Sequence, residues 1–173
     1  FVVPQHKPFP LDRDEPVRSL WDRVEERREV PRLVFGGFRR CSREYQRFDS
    51  EPELRMARLL DGDTAVLKWL KPLRGDFQIT WRDDEQYEPD FVAENMAEKV
   101  VVEVKARNQL AADEVHQKTR AAVSWCRHAT EYERKYGGKA WRYVLVPHDV
   151  LDASRTLEGL VAEFAVREGN ERS

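Results

Sequence analysis

Val100-Val101-Val102-Glu103-Val104-Lys105 is the segment that most limits how this chain can fold. It is short and β-branched, which suits a pleated strand. Side chains alternate faces along a strand with period two. Val100, Val102 and Val104 therefore share one face, and Glu103 and Lys105 the other. The valine face belongs to a core, which sends the charged face to a cleft or to solvent.

Upstream, Tyr87 to Ala93 reads as a second strand, with Pro89 confining it to an edge or a strand start. A hairpin with Asn95 to Glu98 as its loop pairs Glu94 with Lys99 and Val92 with Val101, and sets Asp90 opposite Glu103. Directly opposed residues have Cβ atoms roughly 4.5–5.5 Å apart, and like charges there destabilise a sheet. A hard cation removes the conflict. Mg²⁺ is held by one or two carboxylates together with phosphate oxygens and water. Lys105 beside such a cation could orient a water, stabilise charge on a phosphate, or act as a base if its pKa falls; the residues leave these roles open. Separately, Glu-x-Lys is an ordinary solvated strand face and Pro-Asp an ordinary turn. The register that joins them points to a metal site.

The 173 residues suit one domain with a real core. A net charge of −2 excludes a global basic field, so any nucleic-acid contact must be local or shared with a partner. Cys41 and Cys126 lack metal-ligand spacing and suggest a reducing compartment, the cytoplasm. No membrane span or signal peptide is apparent. No Gly-x-x-x-x-Gly-Lys-Ser/Thr phosphate loop is present, so ATP hydrolysis by that route is not expected.

Pro4, Pro8, Pro10 and Pro16 mark an extended connector, and Ser19 to Glu29 reads as a short charged helix. Arg32 to Phe35 follows as a strand. Residues 1–47 are thus an extension, and 48–173 the main unit. Arg39, Arg40, Arg43 and Arg47 alternate with Phe38, Tyr45 and Phe48. The first reading is a charged segment with its aromatics packed inward; the other is phosphate contact and base stacking. Ser50 to Glu53 forms a capping box opening a helix to about Leu60, and Glu53 is also a candidate acid facing the metal site.

Val66 to Leu70 and Phe77 to Trp81 are candidate strands, and Phe77 to Lys105 reads as a three-stranded antiparallel meander. A long helix spans about Leu110 to Tyr136, with an apolar stripe of Val115, Thr119, Ala122, Cys126 and Ala129, and ends at Gly137-Gly138. Lys118 flanks that stripe, within reach of a site at the sheet edge or free to snorkel. Trp141 to Pro147 is a buried strand, and Leu157 to Ala165 a helix before a frayed tail. The expected class is α/β, a central mixed sheet flanked by helices.

With these motifs in order, the chain resembles the PD-(D/E)xK nuclease superfamily: Pro89-Asp90 matches the first half of the motif and Glu103-Val104-Lys105 the second. The run Phe48 to Glu53, then Tyr87 to Val92, Val102 to Lys105, and Lys118 with Ala121-Ala122 and Trp125-Cys126, is similar to the C-terminal endonuclease domain of the restriction subunit of type III restriction enzymes. The resemblance implies a restriction-endonuclease-like fold and Mg²⁺-dependent hydrolysis of double-stranded DNA, with Mn²⁺ able to substitute. Asp90 and Glu103 would bind the metal, with the Val104 carbonyl and Glu53 as further ligands; Lys105 would handle the attacking water and Lys118 the phosphate. It also implies a helicase or translocase in cis, preceding residues 1–47 and supplying any use of ATP, and a methyltransferase partner that reads sequence. Gln117 is followed four residues later by Ala121 rather than tyrosine, so it does not carry the Gln-x-x-x-Tyr motif of some relatives. A DNA clamp or docking module on the same fold, and a nuclease for other nucleic acids, are the alternatives.

Overall fold

A computed structural model describes residues 9–12 and 14–169. Pro4 and Pro8 of the connector and the end of the tail, from 170, lie outside the described residues. In chain order the elements are β1 (Val17–Ser19), β2 (Val34–Gly36), β3 (Tyr45–Gln46), α1 (Glu51–Gly62), β4 (Val66–Leu70), β5 (Ile79–Arg82), β6 (Glu85–Tyr87), β7 (Phe91–Asn95), β8 (Glu98–Lys105), α2 (Asp113–Arg134), β9 (Ala140–Pro147), α3 (Leu157–Phe164) and β10 (Ala165–Val166). The central five-stranded sheet runs β10-β9-β8-β7-β4. It is mixed: β4, β7 and β8 are antiparallel, β9 returns parallel to β8, and β10 is antiparallel to β9.

The β7–β8 hairpin has the register read from the sequence, Glu94↔Lys99 and Val92↔Val101. Both strands run further toward the turn than expected, leaving Met96-Ala97 at the tip. There Asn95 Oδ1 accepts from the Ala97 and Glu98 amides, each at 2.8 Å.

The meander is different from the expectation. β5 and β6 form a separate two-stranded sheet around Asp83 and Asp84, whose positive φ of 39° and 68° suits a tight hairpin turn. The strand expected from Tyr87 to Ala93 breaks at Glu88-Pro89-Asp90, where the chain crosses from the small sheet into the large one. Pro89 lacks the amide needed to carry a ladder across. The third antiparallel strand is β4.

Both faces of the sheet are covered. Val100, Val102 and Val104 pack with Leu54, Met56 and Leu60 of α1 and Leu157 and Leu160 of α3. Val101, on the opposite face, packs with Ala122 and Cys126 of α2. The Glu103 face is therefore roofed by a helix rather than open, and Glu103 is only 6% exposed. Phe77, Trp125 and Trp141 form an aromatic cluster on that side. α2 ends as expected, with Gly137 at φ 70° and the Gly138 amide donating to Glu133 O.

The N-terminal segment is not an α-helix from Ser19 to Glu29. It forms β1, a turn, and a 3-10 helix at Arg27–Arg32 that contains Pro31. Its apolar residues, Leu20, Trp21 and Val24, span little more than one turn, and the charged run after them gives no stripe to hold a longer helix against the protein. Leu20, Val30 and Phe35 still bury in the same cluster as the sheet valines. The arginine-rich segment takes the inward-packed form. Phe48 is fully buried, Phe38 meets Trp69 edge-on, Arg43 is buried against Asp76, and Arg47 pairs with Glu15. Ala165 leaves the helix and, with Val166, adds the edge strand β10. Among the described residues, no helix is long and apolar enough to cross a membrane.

Candidate active site

One pole of the sheet gathers several element ends: the start of β7, the ends of β4, β8 and β9, and the N-terminus of α1. β7 begins only at Phe91, so the last residues of β8 outrun their antiparallel partner. Asp90 fills this gap. Its Oδ2 accepts from the Val104 amide at 2.8 Å, and its own amide points at Glu103 Oε2 at 3.4 Å. A strand residue sends its N–H and C=O to the same side, so the Val104 carbonyl also faces the Asp90 edge. Lys105 Nζ lies 2.7 Å from Glu103 Oε1. Asp90, Glu103, Val104 and Lys105 are thus brought together by direct contact.

Glu53 reaches the same pole from α1. Ser50 caps the helix, its Oγ accepting from the Glu53 amide at 3.3 Å. The Glu53 carboxylate turns back to accept from the Asp49 amide at 2.9 Å. It also pairs with Lys71 Nζ at 3.0 Å, and Lys71 reaches Asp49 Oδ2 at 3.0 Å as well. Neither Lys71 nor Asp49 is among the site residues that the sequence motifs mark. Lys71 directly follows β4, beside the strand that starts after Asp90; a lysine at a strand end before Pro72 was the available signal. Lys118 makes no direct contact with the four central residues. Its ammonium pairs with Glu114 and lies over the Trp81 and Tyr87 rings, 4.8 and 5.4 Å from their centroids.

The electrostatics carry the conflict expected from two close carboxylates. Burial, then repulsion by Glu103, pushes the Asp90 carboxyl up to about 6, against the pull of Lys105, the Val104 amide and Lys71. Burial raises Glu53 too; Lys71 opposes this and Asp90 adds to it. Burial works to lower Lys105, but Glu103, Asp90 and Glu53 outweigh it and hold the ammonium. Burial first, with repulsion from Glu103 and Asp90 among the other causes, keeps Tyr87 and Tyr143 neutral well above their ordinary range. The thiols of Cys41 and Cys126 are pushed up to about 12, chiefly by burial, which disfavours the thiolate.

Asp90 and Glu103 are carboxylates of the hard-oxygen kind that Mg²⁺ takes, so the residues present could hold it. Among the described residues, no three His, Cys, Asp or Glu side chains converge to hold a metal by themselves. The donor set therefore fits an open site completed by water and substrate, and does not fit a closed protein cage. No protein-family model, curated protein or solved structure matches this chain.

Proposed function

We propose that this chain is a Mg²⁺-dependent endodeoxyribonuclease domain of restriction-endonuclease-like fold, and the cleavage module of a type III-like restriction enzyme. The observation that carries the reading is the pairing of half-buried Asp90 with buried Glu103 beside Lys105, at a sheet end where the Val104 backbone is turned the same way. A fold that retains two repelling carboxylates there tolerates a cost that a divalent cation would relieve.

In this reading Asp90 and Glu103 hold Mg²⁺, with the Val104 carbonyl as a third donor. When bound, the metal polarises a phosphoryl oxygen and lowers the pKa of a coordinated water. Lys105 acts as an ammonium, fixed by Glu103, that orients the attacking water and meets charge developing on the scissile phosphate. Glu53 is held by Lys71 and the Asp49 amide through Oε2, tunes the field at Asp90, and keeps Oε1 for a ligand. Lys118, placed over Trp81, belongs to the rim where flanking phosphates pass. The helicase in cis and the methyltransferase remain part of the proposal through the resemblance alone.

A second reading, a DNA clamp without cleavage, is favoured by the lysines that already neutralise Glu103 and Glu53. Nicking of supercoiled plasmid in Mg²⁺, Mn²⁺ and EDTA separates the two. The nuclease reading expects metal-dependent nicks that Lys105→Ala abolishes; binding with no nicks in any metal favours the clamp.

A further inference from the structure

A groove of about 430 Å³ opens beside the candidate centre, lined by Arg27, Arg28, Arg55, His148, Asp49 and Ser50 among others. Two links tie it to the centre. Asp49 in its wall is ion-paired to Lys71, which also holds Glu53. His148 follows Pro147, the residue paired with Lys105 across the sheet. Arg28 is shared with a second hollow of about 260 Å³, lined by Glu29 and Arg32, so the basic surface continues along the 3-10 helix.

The charges in this groove are unevenly answered. Of the acids lining the first groove, Asp49 is exposed but pairs with Lys71, and Glu51 pairs with Arg55; Glu29, in the second hollow, is exposed and makes no ion pair with any described residue. Arg55 is also fixed by donating to Leu151 O at 2.9 Å, so its guanidinium is preset. Arg27 and Arg32 are exposed and make no ion pair with any described residue. Arg28 pairs only with Glu26, both largely exposed, a contact weak enough to exchange for a phosphate. None of the lining residues is Phe, Tyr or Trp, so the groove has no base-stacking platform. Arginines without stacking rings suit a backbone contact that ignores sequence.

We propose that this arginine groove binds the phosphate backbone of duplex DNA without sequence preference and leads it to the Asp90–Glu103 centre. The direction of travel rests on the nuclease reading; the binding does not.

The test is fluorescence anisotropy of a labelled random-sequence duplex in EDTA, titrated with salt, on the whole chain. Arg27→Ala/Arg28→Ala alters two exposed side chains outside the core. It is expected to weaken binding about tenfold or more and to flatten the log–log salt slope by about one to two. Arg155→Ala, which removes a half-buried arginine on the α3 side paired with Glu163, is expected to leave both unchanged. A double variant with wild-type affinity and slope, or a wild-type chain that does not bind duplex, overturns the groove. Arginine-dependent binding in EDTA, with no nicking of plasmid in Mg²⁺ or Mn²⁺, leaves the groove standing and removes the nuclease.

Discussion

Asp90 Oδ2 accepts a 2.8 Å hydrogen bond from the amide of Val104, fourteen residues later in the chain. This bond welds the two halves of the candidate motif into one unit. It satisfies an amide that β8 presents beyond the start of β7, and so gives Asp90 a structural task. It leaves Oδ1 for a ligand. One carboxylate can thus finish the sheet and open the site together.

Asp90 as an anion should destabilise the fold. Its pKa rises from an ordinary 3.8 to about 6, so between those values the native chain binds more protons than the unfolded one. Stability then falls as pH rises through that window, and the full penalty holds above about pH 6. Asp90→Asn keeps an oxygen for the Val104 amide and removes the charge. It should stabilise the chain at pH 7 in EDTA by on the order of 1–3 kcal/mol, with no gain below about pH 4. Urea denaturation at pH 4 and pH 7.5 measures this. Added Mg²⁺ should stabilise the wild type and not the variant; equal stabilisation of both would place the ion elsewhere.

Lys105 should act on chemistry and not on metal affinity. Its ammonium sits on Glu103, so Lys105→Ala removes a cation that competes for the same carboxylate. Mn²⁺ affinity should hold or tighten, while the nicking rate falls by about 10²–10³, the usual cost of one preorganised electrostatic group. Calorimetric metal titration beside single-turnover nicking reads the two separately. Joint loss of affinity and rate would recast Lys105 as a structural support.

Lys71 should be worth most to stability through Glu53. Their side chains are 13% and 11% exposed, so breaking the pair strands a buried carboxylate. Lys71→Met should cost about 2–4 kcal/mol, and adding Glu53→Gln should recover part of it. A double-mutant cycle showing purely additive effects would mean that the pair carries no coupling. Mg²⁺ that rescues Lys71→Met but not the double variant would show that Glu53, once released, takes up the ion.

Much of this pole was legible because it rests on local rules. The period of two in Val100 to Lys105 fixes which side chains share a face, and the short turn at Met96-Ala97 fixes the register. What failed was long-range. Nothing in Phe77 to Trp81 distinguishes a strand of the main sheet from one in a separate hairpin; the difference lies in Pro89 breaking the ladder and in Trp125 and Trp141 holding Phe77 on the α2 face. Lys71 carries little local signal because its importance depends on β4 lying beside β7, a pairing between segments over twenty residues apart. The covered Glu103 face follows from α2 packing back on the sheet, which period alone does not reveal.

Asp61 should be among the most costly residues to lose, although it belongs to no catalytic pattern. It is fully buried near the end of α1, and its Oδ1 accepts from the Arg39 amide at 3.0 Å, the Arg40 amide at 2.9 Å and Trp69 Nε1 at 3.0 Å. These donors come from the arginine-rich segment and from β4, so one carboxylate ties three parts of the chain together. Asp61→Ala leaves all three without their acceptor, and each orphaned donor costs about 1–3 kcal/mol. The total should reach about 3–5 kcal/mol, enough to unfold a marginal domain at 37 °C. Asp61→Asn keeps Oδ1 and should cost less than half as much. Chemical denaturation of both variants beside the wild type checks this, and equal losses would show that the negative charge, rather than the acceptor geometry, holds the segment in place.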